Sequence, residues 1–212
     1  MVPPSDNPAS ATVEAPRTSI PPPRHRVFLP ASRRERSRAF WWSMVRRTFF
    51  RWSPPRAYRW RVRLLRLFGA DVDRSARIEP SVLVDHPWSL TVGPDAVVAH
   101  RVILNCMGRV TIGAGTRVSQ YTHIVAGTHE YTRPDMVILR QPVTIGRGCW
   151  IAADAFIGPG VTIGDRAIVA ARSSVFHDLP PGMICAGEPA TIRKPRPDAA
   201  GLGHPVDAPR SG

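Results

Sequence analysis

The stretch 142–175, PVTIGRGCWIAADAFIGPGVTIGDRAIVAARSSV, decides the fold. Counting by six from Ile145 gives Ile145, Ile151, Ile157, Ile163, Val169 and Val175, all β-branched aliphatics. In a fixed frame such a run arises by chance on the order of once in ten thousand. The next position is small in turn: Gly146, Ala152, Gly158, Gly164 and Ala170, until Phe176. A period of six is neither helical nor that of a flat strand. It fits a triangular coil of three short strands, roughly 18 residues per turn, each coil laddered in parallel on the next at about 4.8 Å. The aliphatic residue points inward, and the small one lets the chain turn the corner.

Upstream the same period runs in shifted frames: Val72, Ile78, Val84, Leu90; then Val92, Val98, Leu104, Val110; then Ile112, Val118, Ile124. Each two-residue shift, at 90–93 and 110–113, is expected to fall at a corner. One larger break holds AGTHEYTRPDMVILRQP (126–142). The expected fold is an all-β solenoid, a parallel β-helix of about five coils over 70–192, with a loop at 126–142.

The 212 residues around this repeat suit one domain with appendages, and 43% hydrophobic with 21% charged residues is a globular balance. Pro (23) and Gly (16) are too frequent for a helical bundle. No uncharged apolar run reaches the roughly 18 residues of a membrane span. The first twenty residues show no basic n-region followed by an apolar h-region, so a cytoplasmic location is expected. Cys106, Cys149 and Cys185 are odd in number and far apart. That excludes a disulfide framework or a Cys-rich zinc site and fits reduced thiols.

The net charge of +13 is concentrated in one place. Residues 24–68 carry fourteen Arg against Glu35 alone, and 70–192 carry ten Arg against eleven acids. Residues 1–32, rich in Pro, Ser and Ala, are expected to be disordered. Residues 33–69 read as a basic amphipathic helical segment. Its first helix runs from Arg33 to about Phe50, with Phe40, Trp41, Met44, Val45 and Phe49 at near-helical spacing, and Pro54-Pro55 end it. A second runs from Tyr58 to Phe68 with Trp60, Leu64, Leu67 and Phe68 on one side and Gly69 as C-cap. Residues 193–212 read as a flexible basic tail. Three uses of the helices stand open: a cap on the end of the solenoid, a contact with anionic membrane at the inner face, or nucleic-acid binding, which the near-neutral main domain disfavours.

HPWSLTVG (86–93), VTIGAGTRVSQ (110–120), AGTHEYTRP (126–134), the 142–175 run and DLPPGMICAGEPATIRK (178–194) together resemble the hexapeptide-repeat sugar O-acetyltransferases of the maltose, galactoside and nodulation-factor type. The colanic acid biosynthesis subgroup is nearest, and the resemblance spans about 40–194. It implies a left-handed coil, acetyl-CoA as co-substrate, no metal, a sugar or exopolysaccharide-precursor acceptor, and a homotrimer with sites between subunits. It also implies that His129 is the general base. His129 lies on the one long interruption, where function concentrates on a rigid scaffold, and a neutral imidazole suits deprotonation of a hydroxyl. Trp150 is similar to the family tryptophan beside the acetyl-CoA channel. Ala152, Ala153, Gly158, Ala170, Ala171 and Arg172 are expected along that channel, where small side chains admit an extended thioester arm. Arg193 and Lys194 suit the phosphates of CoA. Asn105, His123 and Tyr131 are expected near the acceptor, although Asn105 also reads as a turn residue and His123 as a strand position.

Two other readings compete. A γ-class carbonic anhydrase shares the fold but needs three zinc-binding His, two of them separated by four residues; His123 and His129 are separated by five. A non-catalytic scaffold would use the coils and the basic arm for assembly alone.

Overall fold

The structure, a computed structural model, describes residues 32–197. The expected tails therefore lie outside the described residues, except for Ser32 and 193–197. Each inward aliphatic position of the six-residue count from Val72 to Val175 is buried, and Ile78, Val98, Ile124, Ile145, Ile151 and Ile157 are wholly so. The coils stack in three faces. The first holds β1 (Asp71–Val72), β4 (Leu90–Val92), β7 (Val110–Ile112), β12 (Val143–Ile145) and β15 (Thr162–Ile163). The second holds β2 (Arg77–Ile78), β5 (Val97–Val98), β8 (Arg117–Val118), β13 (Trp150–Ile151), β16 (Ile168–Val169) and β18 (Met183–Gly187). The third holds β3 (Leu83–Val84), β6 (Ile103–Asn105), β9 (His123–Val125), β14 (Phe156–Ile157) and β17 (Ser174–Val175). All neighbours within these stacks are parallel, giving five coils and a partial sixth. Small residues turn the corners because adjacent coils crowd there. A Cβ on Gly146 would strike Asp165, and one on Gly164 would press into Pro181 of the next turn.

The frame shifts do not fall where expected: 90–92 and 110–112 are strands β4 and β7 of the first face, and the extra residues lie at the corner before them. Between the third and first faces the chain needs three residues in the late coils (158–160 and 176–178). It uses five in the early ones (85–89 and 105–109) and eighteen (125–142) in the middle coil. The corner that departs from strict periodicity is thus the corner that carries the loop.

α1 (Arg33–Val45) starts at Ser32, whose Oγ accepts the Glu35 N–H at 3.1 Å, and runs into a π-helical turn (Arg46–Phe50). α2 (Tyr58–Leu67) ends at Gly69, whose φ of +88° confirms the expected cap. Val62 and Leu65 of α2 close the first coil. The expected apolar faces are right only in part: Val45, Leu64 and Phe68 pack on the core, and the rest do not. Trp42 and Phe50 are buried in the first segment, while Phe40, Trp41, Met44 and Phe49 face outward. Trp42 wins because its indole N–H finds the Val84 carbonyl at 2.7 Å. In α2 the buried row is Arg61, Val62, Leu64 and Leu65, whereas Leu67 is 79% exposed and Trp60 43%. Arg61 is fully buried because each nitrogen of its guanidinium finds an acceptor. It donates to the carbonyls of Ile78, Pro54 and Pro55 and to the Ser53 hydroxyl, and stacks 4.9 Å from the Tyr58 ring. The tail reading also needs correction. Arg193 and Lys194 belong to β19 (Ala190–Pro195), which pairs antiparallel with β18 and extends the second face.

Candidate active site

The long insertion folds as a hairpin, β10 (Gly127–His129) against β11 (Ile138–Arg140), with Gly127 opposite Arg140 and His129 opposite Ile138. Its base is fixed. The Ala126 carbonyl accepts the N–H groups of Gly108 (2.9 Å) and Gln141 (3.0 Å), and a Cβ on Gly127 would collide with Met107. Leu139 and Glu130 are buried, while Tyr131 at the tip is 80% exposed. The His129 ring is exposed, and its Nδ1 lies 2.6 Å from the Met136 carbonyl. A carbonyl only accepts, so this bond places the proton on Nδ1 and leaves Nε2 with a free lone pair. A lone pair on an outward-facing Nε2 is what a base needs to take a proton from a hydroxyl.

A groove of about 490 Å³ lies at a different corner, between the second and third faces. Trp150 and Ile168 wall it, and Ala152, Ala153, Ala170 and Ala171 form its rim, with Ser119 and Gln120 at one end. The half-exposed Trp150 is held by its indole N–H donating to Ser119 Oγ at 3.1 Å. Five residues expected along the thioester channel therefore meet in one place. Residues 18 apart (152 with 170, 153 with 171) share a corner, which is why they meet.

The ladder Trp150–Ile168–Ile184–Lys194 runs in register up the second face beside this groove. Three strand spacings put Lys194 about 14 Å from Trp150. Arg172 stands at the groove corner as an exposed side chain 3.5 Å from Asp154. Gly158 does not belong with them. It lies six residues beyond Ala152, hence one corner on, packed near the Val175 carbonyl and Phe176.

Asn105 and His123 lie on the third face, in register with Val125 and Phe156. Asn105 Oδ1 accepts the Met107 N–H at 3.3 Å, a turn role at the hairpin corner, and His123 is exposed. Asp85 was not foreseen. It sits twenty residues before Asn105, one early coil away, and its Oδ1 accepts the N–H groups of Cys106 (2.6 Å) and His86 (2.7 Å). Counting coils of twenty would have put it in the Asn105 row. Burial pushes the Cys106 thiol well above its usual value, with the Asp85 charge adding to the shift, and burial also raises Cys149 and Cys185. Among the described residues no three His, Cys, Asp or Glu side chains cluster as a metal site would need. A larger open cleft, about 1190 Å³, lies between α2 and the first coils and is lined by Arg59, Arg63, Arg66 and Arg74 with Asp73 and Asp95. It is at neither of the two corners just described.

Residues 142–177 match the bacterial transferase hexapeptide (six repeats) family. The chain is 46% identical over 156 residues to the protein of Escherichia coli K12 named as the colanic acid biosynthesis acetyltransferase WcaF, covering 74% of this chain and 85% of that one. It is 30% identical over 146 residues to galactoside O-acetyltransferase of the same organism, covering 68% and 72%. Among solved structures, the hexapeptide-repeat acetyltransferase VCA0836 of Vibrio cholerae, complexed with acetyl coenzyme A, matches with a TM-score of 0.71 at 26% identity over 81% of this chain and 94% of that one.

Proposed function

The chain belongs to the hexapeptide-repeat, acetyl-CoA-dependent acetyltransferases, and from that premise we propose that it moves the acetyl group to a hydroxyl of a sugar or exopolysaccharide precursor, with His129 as general base. His129 Nε2 takes the hydroxyl proton as the oxygen attacks the thioester carbonyl carbon. The tetrahedral intermediate collapses with cleavage of the C–S bond, and the departing thiolate regains the proton from the imidazolium. No acyl-enzyme is required, because holding both substrates in one site supplies much of the acceleration. The observation that carries this reading is the His129–Met136 bond, which frees Nε2 on the only long protrusion among the described coils. The acetyl-CoA arm is assigned to the Trp150 groove, with Arg172, Arg193 and Lys194 toward its phosphates, and the acceptor to the hairpin corner with Asn105, His123 and Tyr131.

The test is release of CoA with a panel of sugars and nucleotide sugars. His129→Ala should lower turnover by about 10²- to 10⁴-fold with acetyl-CoA affinity and melting temperature unchanged. Unchanged turnover would remove His129 from the chemistry and favour the scaffold reading.

The groove and the hairpin leave from opposite edges of the third face, so one chain does not join them. We read this as support for a homotrimer in which the hairpin of one subunit meets the groove of the next. Co-expressed His129→Ala and Ala153→Trp subunits, each inactive alone, should then regain roughly a quarter of wild-type activity through mixed trimers. No regain would mean that each subunit builds its own site.

No helix of the described residues is long and apolar enough to cross a membrane. The outward face of the helical segment fits the surface of one. Phe40, Trp41, Met44, Phe49 and Trp52 are exposed together with Arg33, Arg47 and Arg51, and aromatic rings beside guanidinium groups suit an anionic lipid interface. A second copy would bring like charges together there. We place the enzyme in the cytoplasm, peripheral to the inner membrane face. Vesicles containing anionic lipid should sediment the protein, neutral vesicles should not, and Trp41→Ser/Trp52→Ser should abolish the difference. Equal recovery with both vesicle types would discard the contact.

A further inference from the structure

We infer that Glu35 of α1 positions the His129 hairpin through Arg140; the inference rests on His129 being the base. α1 runs along the irregular corner, and three contacts fix its course. Trp42 donates to the Val84 carbonyl in the first coil. The Arg38 guanidinium lies 4.7 Å from the Trp88 ring in the turn between the first and second coils. Arg38 also donates to the Phe68 carbonyl at 2.9 Å, which ties the helix to the end of α2. At the N-terminal end of α1, Glu35 Oε1 accepts from Arg140 Nη2 at 3.0 Å across a sequence separation of 105.

This ion pair is more shielded than two others among the described residues. Its side chains are 25% and 19% exposed, against 60% and 51% for Arg133–Asp135 at the hairpin tip and 83% and 59% for Arg172–Asp154. Shielding from water raises the stake in keeping it intact. Glu35 is also the sole acid among residues 24–68, and its carboxylate pairs with an arginine of the hairpin.

The register gives the link its leverage. Arg140 pairs with Gly127, and His129 stands two residues further along the same ladder, about 7 Å away. Below Arg140 the hairpin is bound to the coil through Ala126, Gly108 and Gln141, and Leu139 and Glu130 are buried along it. Glu35 holds it from the side. A displacement near 1 Å at the base nitrogen is enough to cost about a hundredfold in rate, whereas the Trp150 groove, at another corner, would not feel it.

The role is therefore one of positioning, and it predicts a split between turnover and cofactor binding. Glu35→Gln should lower kcat by about tenfold or more while the KM for acetyl-CoA and the melting temperature stay near wild type. Glu35→Arg should lower kcat further, and Glu35→Arg/Arg140→Glu should recover most of the loss by restoring the pair with its charges exchanged. A Glu35→Gln enzyme with wild-type kcat would overturn the inference, provided that His129→Ala is inactive in the same assay. Activity in His129→Ala would instead overturn the reading of the base. A kcat loss that tracks a lowered melting temperature, with no recovery in the exchanged pair, would make the contact structural and also overturn the inference.

Discussion

The coils and the helical segment obey different rules of burial. In the coils the inward residue is fixed by the backbone. Parallel ladders stack equivalent positions, so Val72, Val92, Ile112, Ile145 and Ile163 share one inner column whatever their neighbours are. In the helical segment no ladder imposes a face. Polar partners select it instead, so one tryptophan goes in and its neighbour stays out, and an arginine is buried where a leucine is exposed. A repetitive backbone makes sequence pattern sufficient for burial. An isolated helix laid on that backbone is oriented by a few specific bonds.

The largest effects expected from this contrast are at Arg61 and Trp42. Arg61→Met keeps an unbranched apolar stem but removes the donors to the Ile78, Pro54 and Pro55 carbonyls and to the Ser53 hydroxyl. It should cost about 3–5 kcal/mol in urea unfolding, more than removing any exposed apolar residue of α2. A loss below about 1 kcal/mol would mean that water replaces the guanidinium and that the polar partners do not select the face. Ile151→Ala comes next. It removes a wholly buried residue in the middle of an inner column and should cost about 3 kcal/mol, with little relief because the coils above and below are held by their ladders. Gly146→Ala should cost about 1–3 kcal/mol, since the new Cβ meets Asp165 and its backbone. A neutral result there would show that the corners tolerate bulk and that the small-residue pattern has another cause.

Much of this was legible from residue types and spacing. The six-residue count placed every inner column, and the one long interruption located the hairpin and His129. The groove residues were named from the resemblance and their small side chains, and spacings of 18 explain why Ala152 and Ala153 meet Ala170 and Ala171 at one corner. Gly158 was grouped with them for its small side chain, whereas a step of six from Ala152 leads to the next corner. Arg61 was not legible, because burying a guanidinium depends on carbonyls that converge only when the Pro54-Pro55 turn and the first coil are both in place. The Glu35–Arg140 pair has no local pattern either; its partners approach only once the chain has completed three coils. The β18–β19 hairpin was hidden by a tail composition of Pro and Arg, although Ala190–Pro195 still ladders on the last strand of the second face.

The smallest effect is the sharpest test of the contrast, because it compares adjacent identical residues. Trp42→Ala should cost about 3–5 kcal/mol, as it empties a site packed against Phe50 and Phe68 and abandons the Val84 carbonyl. Trp41→Ala removes as many atoms but should change stability by less than about 0.5 kcal/mol, since its ring is 60% exposed and touches Phe40 edge-on, itself outside the core. A large loss at Trp41 that grows as protein concentration rises would show that another copy of the chain covers this face. A large loss independent of concentration would show that α1 is rotated about its axis from the orientation set by Trp42, and the separation of buried and exposed rows on which the comparison rests would fail.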